Sequence, residues 1–109
     1  MVNKEIIVTT AFEVPDKKIA KVLGIARGNT VRSRNLGRDI AAGFKNLMGG
    51  EIKIYTEMTA QSRDEAINRM VNDAIKMGAD AIIGFRFTSS TVMQASAEIL
   101  AYGTAVKLK

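Results

Sequence analysis

The chain has 109 residues, a formal net charge of +5, and neither Cys nor His. Its length supports one hydrophobic core, and 47% hydrophobic with 25% charged residues is typical of a globular protein, so we expect one domain over residues 1–109. The missing Cys and His exclude disulfides, thiol and imidazole catalysis, and the common zinc and copper ligand sets. No apolar leader or membrane-length run is present, so we expect a cytoplasmic protein.

Two strands are predicted in the first third of the chain. Glu5–Thr10 is a short β-branched run that ends before the turn residues Val14-Pro15-Asp16, and it suits a sheet edge or pairing with another subunit. Lys17–Ser33 is longer and apolar on both sides. Its two faces are predicted to carry Ile19, Leu23 and Ile25, and Ala20, Val22, Gly24 and Ala26. Gly24 and Gly28 indicate a bend or a close backbone approach.

A short helix and a long helix are predicted next. Ser33 or Asn35 can cap the short one, which ends at Gly49-Gly50. The long one begins at Glu51 and stops at Gly78, where a residue without Cβ suits a left-handed cap. Its apolar stripe comprises Ile52, Tyr55, Ala66, Ile67, Met70, Val71, Ala74 and Met77. Arg63 projects near the centre of that stripe, so we expect it to need a charged partner.

The last two strands are predicted at residues 79–91 and 95–108, paired as an antiparallel hairpin. The final strand alternates a small-residue face, which can admit a helix closely, with a larger face that is also mostly apolar. The three main strands are thus apolar on both faces over their central parts. Soluble monomers avoid such exposed patches, so we expect a homo-oligomer that buries the second face or the edge near Ile6–Thr10. The alternative is that the short helix wraps the second face.

Several glycine-containing motifs occur in the order and spacing of one known family. They are Gly24–Gly28, Arg38–Gly43, Gly49-Gly50, Tyr55, Ala66, Gly78–Gly84 and Gly103–Val106. On these residues the chain resembles the YbjQ-like family, whose label names heavy-metal binding, over nearly its whole length. The resemblance implies an α+β, two-layer β-α-β-β fold of the dodecin-like class, with an antiparallel sheet and the last strand central. It also implies assembly as a homopentameric ring, helped by short additional strands, and no established biochemical activity.

The residue types do not favour a heavy-metal site. Soft metals prefer thiolate or imidazole ligands, and the chain has neither. Only hard-ion oxygen sites built from Asp39, Asp80 or Glu98 remain open. We therefore expect no metal site and no cofactor.

Four arginines form a candidate anion-binding cluster: Arg27, Arg32, Arg34 and Arg38. They lie around the start of the short helix, where free backbone N–H groups favour a phosphate or a carboxylate. The alternative is a solvated basic surface in which Arg38 and Asp39 pair between subunits. Nucleic acid is less favoured, because aromatic residues are only 6% of the chain.

Arg63 is expected to form a structural ion pair with Asp80, Asp39 or Glu98, and Asp80 could instead serve the helix–strand junction. No Ser has a base beside it in a recognisable motif, so we do not expect an enzyme. The leading hypothesis is a ring-forming homo-oligomer that binds a small ligand or an ion. The alternative is a phosphate- or nucleic-acid-binding protein that uses the Arg27–Arg38 cluster.

Overall fold

The computed structural model describes residues 5–33, 50–93 and 96–109. Within these ranges the chain forms four strands and one helix. They are β1 (Ile7–Val8), β2 (Ile19–Ser33), α1 (Gly50–Met77), β3 (Ala81–Met93) and β4 (Ser96–Leu108). The long helix packs on one face of the sheet, so the predicted α+β class is confirmed. The predicted short helix falls in residues 34–49, outside the described ranges.

The sheet has the order β1-β3-β4-β2, with β4 in the centre as expected. β4 runs antiparallel to both β2 and β3. β1 instead pairs parallel with β3, placing Ile7 opposite Ala81 and Val8 opposite Ile82. The fully antiparallel sheet was therefore a wrong prediction, and the sheet is mixed. A parallel pair needs a long crossover connection, which β2 and α1 supply between β1 and β3.

The end of α1 at Gly78 is set by local chemistry. Gly78 has φ +84°, the left-handed conformation in which a Cβ costs energy. Its N–H donates to the Ile75 carbonyl at 2.9 Å, and the Ala79 N–H donates to the Ala74 carbonyl at 3.0 Å. These two bonds are the Schellman motif, which satisfies the last helical carbonyls and confirms the predicted stop.

α1 contacts the sheet through a narrow line of residues spaced four apart. Ser62, Ala66, Met70 and Ala74 are buried along this line, and Ala26, Ile82, Ala101 and Ala105 meet it from the strands. The line is narrow because the helix backbone touches β2 at Gly28. A Cβ on Gly28 would collide with the Met70 nitrogen and the Ala66 carbonyl oxygen, and would lie 2.6 Å from Arg69 Cβ.

The predicted position of Arg63 on the buried stripe was wrong, because Arg63 is exposed. Its neighbour Ser62 occupies the buried line instead, and the Ser62 carbonyl accepts the Thr30 hydroxyl at 3.2 Å. Successive residues on a helix differ by about 100° in direction, so a strip this narrow leaves Arg63 outside it.

The predicted faces of β2 were also partly wrong, because the strand has a register shift between Val22 and Gly24. Gly24 has φ +139°, which supports the predicted bend. The irregularity breaks simple alternation, since an extra residue in one strand reverses the faces that follow. Leu23 therefore packs against the core under α1, while Ile25 is exposed on the opposite face.

A second, smaller core lies on the side of the sheet away from α1. Val14, in the turn between β1 and β2, packs there on Ala81, Ile83 and Val106, with Leu108 beside them. The turn is closed by the Lys17 N–H donating to the Val14 carbonyl at 3.1 Å, with Asp16 at φ 64°. The predicted turn at Val14-Pro15-Asp16 is confirmed, and it covers one end of the second face.

Candidate functional site

The face of the sheet away from α1, called here the open face, is the first candidate surface. Residues directly opposite one another in paired strands share a face, so the register assigns its members. Beyond the Val14 core they are Ile25, Arg27, Asn29 and Val31 of β2, Arg86, Thr88 and Ser90 of β3, and Glu98, Leu100, Tyr102 and Thr104 of β4.

Apolar side chains on the β2 part of the open face are largely exposed. Ile25 is 64% exposed, Val31 55%, and Val22, opposite the core residue Val106, 61%. Leu100 and Tyr102 on β4 are half-buried. Single exposed apolar residues are ordinary, but three on one side of the same strand, with Arg27 and Asn29 between Ile25 and Val31, favour a surface suited to a partner. The described part of the chain leaves this row uncovered.

Polar groups interrupt the open face, so it is less apolar than the sequence predicted. Tyr102 lies opposite both Arg27 and Arg86, in a row that crosses the three strands. Nearer the N-terminal end of β4, the Asn29 side-chain amide donates to Glu98 Oε2 at 2.8 Å. The face therefore combines apolar and hydrogen-bonding groups, which is the usual make-up of a protein–protein contact.

The second candidate surface is a groove between α1 and the free edge of β2, called here the outer groove. It has a volume of about 430 Å³ and is lined by Arg27, Gly28, Asn29, Arg69, Asn72, Asp73 and Lys76. The close approach at Gly28 places α1 over this strand edge. Arg69, Asn72, Asp73 and Lys76 then project along it, because residues three and four apart share one side of a helix.

Two helix side chains in the outer groove hydrogen-bond to the edge of β2. Asp73 Oδ2 accepts the Arg27 N–H at 3.0 Å, and the Arg69 guanidinium donates to the Asn29 carbonyl at 2.5 Å. Arg69 also pairs with Glu65 at 2.5 Å, one turn earlier on α1. These contacts occupy backbone groups that an edge strand would otherwise offer to another strand.

Only two of the four arginines in the predicted anion cluster lie in the described ranges. Arg27 is exposed and lines the outer groove. Arg32 lies on β2 opposite Ala97, while Arg34 and Arg38 lie outside the described residues. The structure instead places Arg69 and Lys76 of α1 beside Arg27. Sequence reasoning missed these two cations. Their spacing of seven residues along one flank of the buried line was the available signal.

Two carboxylates from the predicted structural ion pairs, Asp80 and Glu98, accept hydrogen bonds. Asp80 Oδ2 accepts the Leu108 N–H at 2.9 Å, joining the turn after α1 to the end of β4. Glu98 accepts from Asn29. Among the described residues no ion pair joins Arg63 to either carboxylate. Asp39 lies outside the described ranges.

Across residues 5–33, 50–93 and 96–109, no group of three or more Asp or Glu side chains is arranged to hold a metal ion. In the same part of the chain, no helix has the length and apolarity needed to cross a membrane.

Comparison with known proteins places the chain in a family. The YbjQ family model, which carries the description "Putative heavy-metal-binding", matches residues 6–109. The chain belongs to the YbjQ family. This YbjQ protein is 54% identical over 107 residues to a UPF0145 protein of Archaeoglobus fulgidus, covering 98% of this chain and 99% of that one. It is 61% identical over 104 residues to a UPF0145 protein of Fervidobacterium nodosum, covering 95% of each.

A solved structure shows the same fold. The crystal structure of a DUF74-family protein of unknown function from Pediococcus pentosaceus matches with a TM-score of 0.65. The match covers 95% of this chain and 98% of that one at 18% sequence identity, so it bears on the fold alone.

The heavy-metal description of the family does not fit this YbjQ protein's own donor atoms. Soft metals bind most strongly to thiolate, thioether and imidazole, and this sequence supplies neither Cys nor His. The six Met thioethers are the soft donors that remain, and Met70 is fully buried in the core. We therefore derive no function through a bound heavy metal.

Proposed function

We propose that this YbjQ protein is a non-enzymatic, self-assembling module whose open face packs against a second copy of the chain. The observation that carries the proposal is the exposed apolar row Val22, Ile25 and Val31 on β2. Burying apolar surface contributes roughly 25 cal/mol per Å², so covering such a row favours association.

The geometry favours contact through the face over addition of a strand at the β2 edge. Asp73 and Arg69 already hydrogen-bond to the outward backbone groups of Arg27 and Asn29. A partner strand would have to displace both side chains. A copy that approaches the open face meets the apolar row and leaves these bonds intact.

The proposed assembly is a cytoplasmic homo-oligomeric ring of the dodecin-like class. Five subunits is the number that the family resemblance implies. The β-α-β-β order with β4 central supports the class, and the short parallel strand β1 lies at the sheet edge where an additional strand could join subunits.

Lysine substitution on the apolar row tests the proposal. The Ile25→Lys/Val31→Lys double variant is expected to shift the protein from an oligomer toward its 11.8 kDa chain mass. Assembly of this variant would bury the two lysine charges of each subunit in the contact without partners, so the oligomer is destabilised. Both side chains are more than half exposed within the chain, so each subunit should still fold. Sedimentation velocity measures the mass and circular dichroism the fold.

A matched control adds the same charge elsewhere. Gln61→Lys/Asn68→Lys changes two exposed positions on α1 and is expected to retain the parent's mass. If the β2 variant and this control sediment alike, the open face is not the contact surface.

Anion binding is a second candidate function, and the outer groove is the observation that favours it. Two cations of α1, Arg69 and Lys76, line it together with one carboxylate, Asp73, and with the β2 edge at Arg27, whose side chain belongs to the open face. From the predicted cluster this candidate keeps only the β2 position of Arg27, and its cations come from α1.

A further inference from the structure

We infer that the open face of one subunit packs against one side of α1 in the next subunit, where Arg63 pairs with Glu98 of that open face. The side of α1 meant here carries Arg63, Ile67, Val71 and Ile75, and it is called the α1 ridge. This contact rests on the proposed assembly and gives each subunit the second surface that a ring needs. Arg63 then finds between subunits the carboxylate that the sequence predicts for it.

A ring needs two different contact surfaces on each subunit. Identical surfaces meet around a two-fold axis and close a dimer, whereas a ring of more subunits joins one surface to a different one on its neighbour. The charges of the open face also disfavour pairing with itself. Among its described residues it carries Arg27 and Arg86 but one carboxylate, Glu98, so two open faces packed together would gather twice as many cations as carboxylates.

The α1 ridge lies on the side of the helix that faces β3. Each ridge residue follows a residue of the buried line by one position. Arg69 and Asp73 instead each precede one, and they hydrogen-bond to the β2 edge. Since successive helix residues differ in direction by about 100°, the ridge projects to the opposite side, toward β3. Phe87 of β3 adds apolar surface there, because it lies opposite the buried Ala101 and is 39% exposed.

The side chains of the α1 ridge are incompletely covered by the described part of the chain. Ile67 and Val71 pack against the core but are only half-buried, and Ile75 is 37% exposed. Arg63 is exposed at the N-terminal end of the ridge. The ridge therefore offers three apolar side chains in line with one cation, which complements an open face that has apolar residues and one carboxylate.

The spacing of the α1 ridge matches the spacing of β4. Four residues of a helix advance about 6 Å, and two residues of a strand advance about 6.6 Å. The ridge can therefore lie along one face of β4 with Arg63, Ile67, Val71 and Ile75 over Glu98, Leu100, Tyr102 and Thr104 in turn. Ile25 lies opposite Thr104 on β2, so this register also brings Ile75 to the exposed apolar row.

Glu98 has the capacity to accept a guanidinium from the next subunit. Its Oε2 accepts the Asn29 amide at 2.8 Å, which fixes the carboxylate in place on the open face. An ionised carboxylate has about four acceptor positions, so one such bond leaves room for Arg63. Val31 lies directly opposite Glu98 and is 55% exposed, so the pair would form beside apolar surface, where water competes less.

Mixing two variants that each lack one surface tests the contact. Ile25→Lys/Val31→Lys blocks the open face, and Arg63→Glu/Ile75→Lys blocks the α1 ridge. Each variant alone is expected to sediment at the 11.8 kDa chain mass, with a folded circular dichroism spectrum. An equimolar mixture is expected to form a 1:1 complex, because each variant supplies the surface that the other lacks.

The outcomes separate this contact from the proposed assembly. A ridge variant that keeps the parent's mass would overturn the ridge as the second surface. Two single-chain variants that form no complex when mixed would do the same, since an open face that pairs with itself gives that result. If the unmodified protein itself had the single-chain mass, the proposed assembly would fail as well.

Charge reversal within the 1:1 complex tests the ion pair. Arg63→Glu added to the open-face variant, or Glu98→Arg added to the ridge variant, is expected to raise the dissociation constant roughly tenfold, because like charges then meet. The two reversals together are expected to recover most of this loss. Isothermal titration calorimetry measures the dissociation constant.

Lys76→Glu is the matched control for the charge reversal. It reverses one exposed cation of α1 on the side that lines the outer groove, away from the ridge. Added to the open-face variant, it is expected to change the dissociation constant less than about threefold, because salt screens distant charges. Weakening by Lys76→Glu equal to that by Arg63→Glu, or two reversals that do not compensate each other, would overturn the pairing of Arg63 with Glu98.

Discussion

Gly28→Ala is expected to destabilise the protein by about 3 kcal/mol or more, at the upper end of what overpacking costs. The added methyl group meets the Met70 nitrogen and the Ala66 carbonyl oxygen, which are backbone atoms of α1 that cannot rotate away. The helix would have to move off β2, opening the core along Ala66, Met70 and Ala74. Urea unfolding at fixed protein concentration, followed by circular dichroism, measures the loss.

The expected loss of stability is opposite in sign to the usual effect of such a replacement. Replacing a strand glycine with alanine usually raises stability by roughly 0.5–1 kcal/mol, because glycine loses more entropy on folding. Gly78→Ala is the matched control, since no atom beyond its chain neighbours lies within 4 Å of its added Cβ and only its φ of +84° opposes the change. It is expected to cost about 1–2 kcal/mol. A Gly28→Ala protein as stable as the parent would show that α1 does not touch β2.

Met70→Ala is expected to cost about 2–5 kcal/mol, the range for large-to-small changes in a core. Met70 is fully buried in the helix–sheet core, where most of the other fully buried residues are alanines, whose short side chains cannot reach inward to fill the space. The free energy of unfolding from urea titration measures this loss.

Ile75→Ala is the matched control on the same helix. Ile75 is 37% exposed, so its truncation is expected to cost clearly less than that of Met70. Met70→Leu, which nearly conserves volume, should cost less than about 1.5 kcal/mol. Equal losses at positions 70 and 75 would contradict the orientation of α1.

The features that the sequence predicts well are those fixed by local chemistry. The stop of α1 at Gly78 follows from a residue that adopts positive φ, and the Val14-Pro15-Asp16 turn follows from its residue types. The small face of β4 follows from its alternation, and Ala101 and Ala105 on that face are buried under the helix. The central place of β4 came from the family resemblance.

The features that the sequence could not predict depend on contacts between distant segments. Arg63 was placed on the buried face because the apolar stripe looked broad, whereas contact at Gly28 makes it a narrow line through Ser62. The shift near Gly24 reversed the expected side of Ile25. The parallel pairing of β1 with β3 depends on a partner more than seventy residues away.

The sequence did not predict the outer groove, because the groove also depends on contact between distant segments. Arg69 and Lys76 look like ordinary solvated positions on a helix until the strand beneath them is known. Only the packing of α1 over the β2 edge brings them to Arg27. The arginines that are close in sequence formed the more visible cluster, and just one of them is found at the groove.

The mass of the unmodified protein in dilute solution tests the central claim most directly. Sedimentation velocity or native mass spectrometry is expected to show a species several times heavier than the 11.8 kDa chain, persisting on dilution, with five chains implied by the family resemblance. A species of 11.8 kDa at every concentration would mean that no second copy covers the row Val22, Ile25 and Val31, and would contradict the proposed assembly.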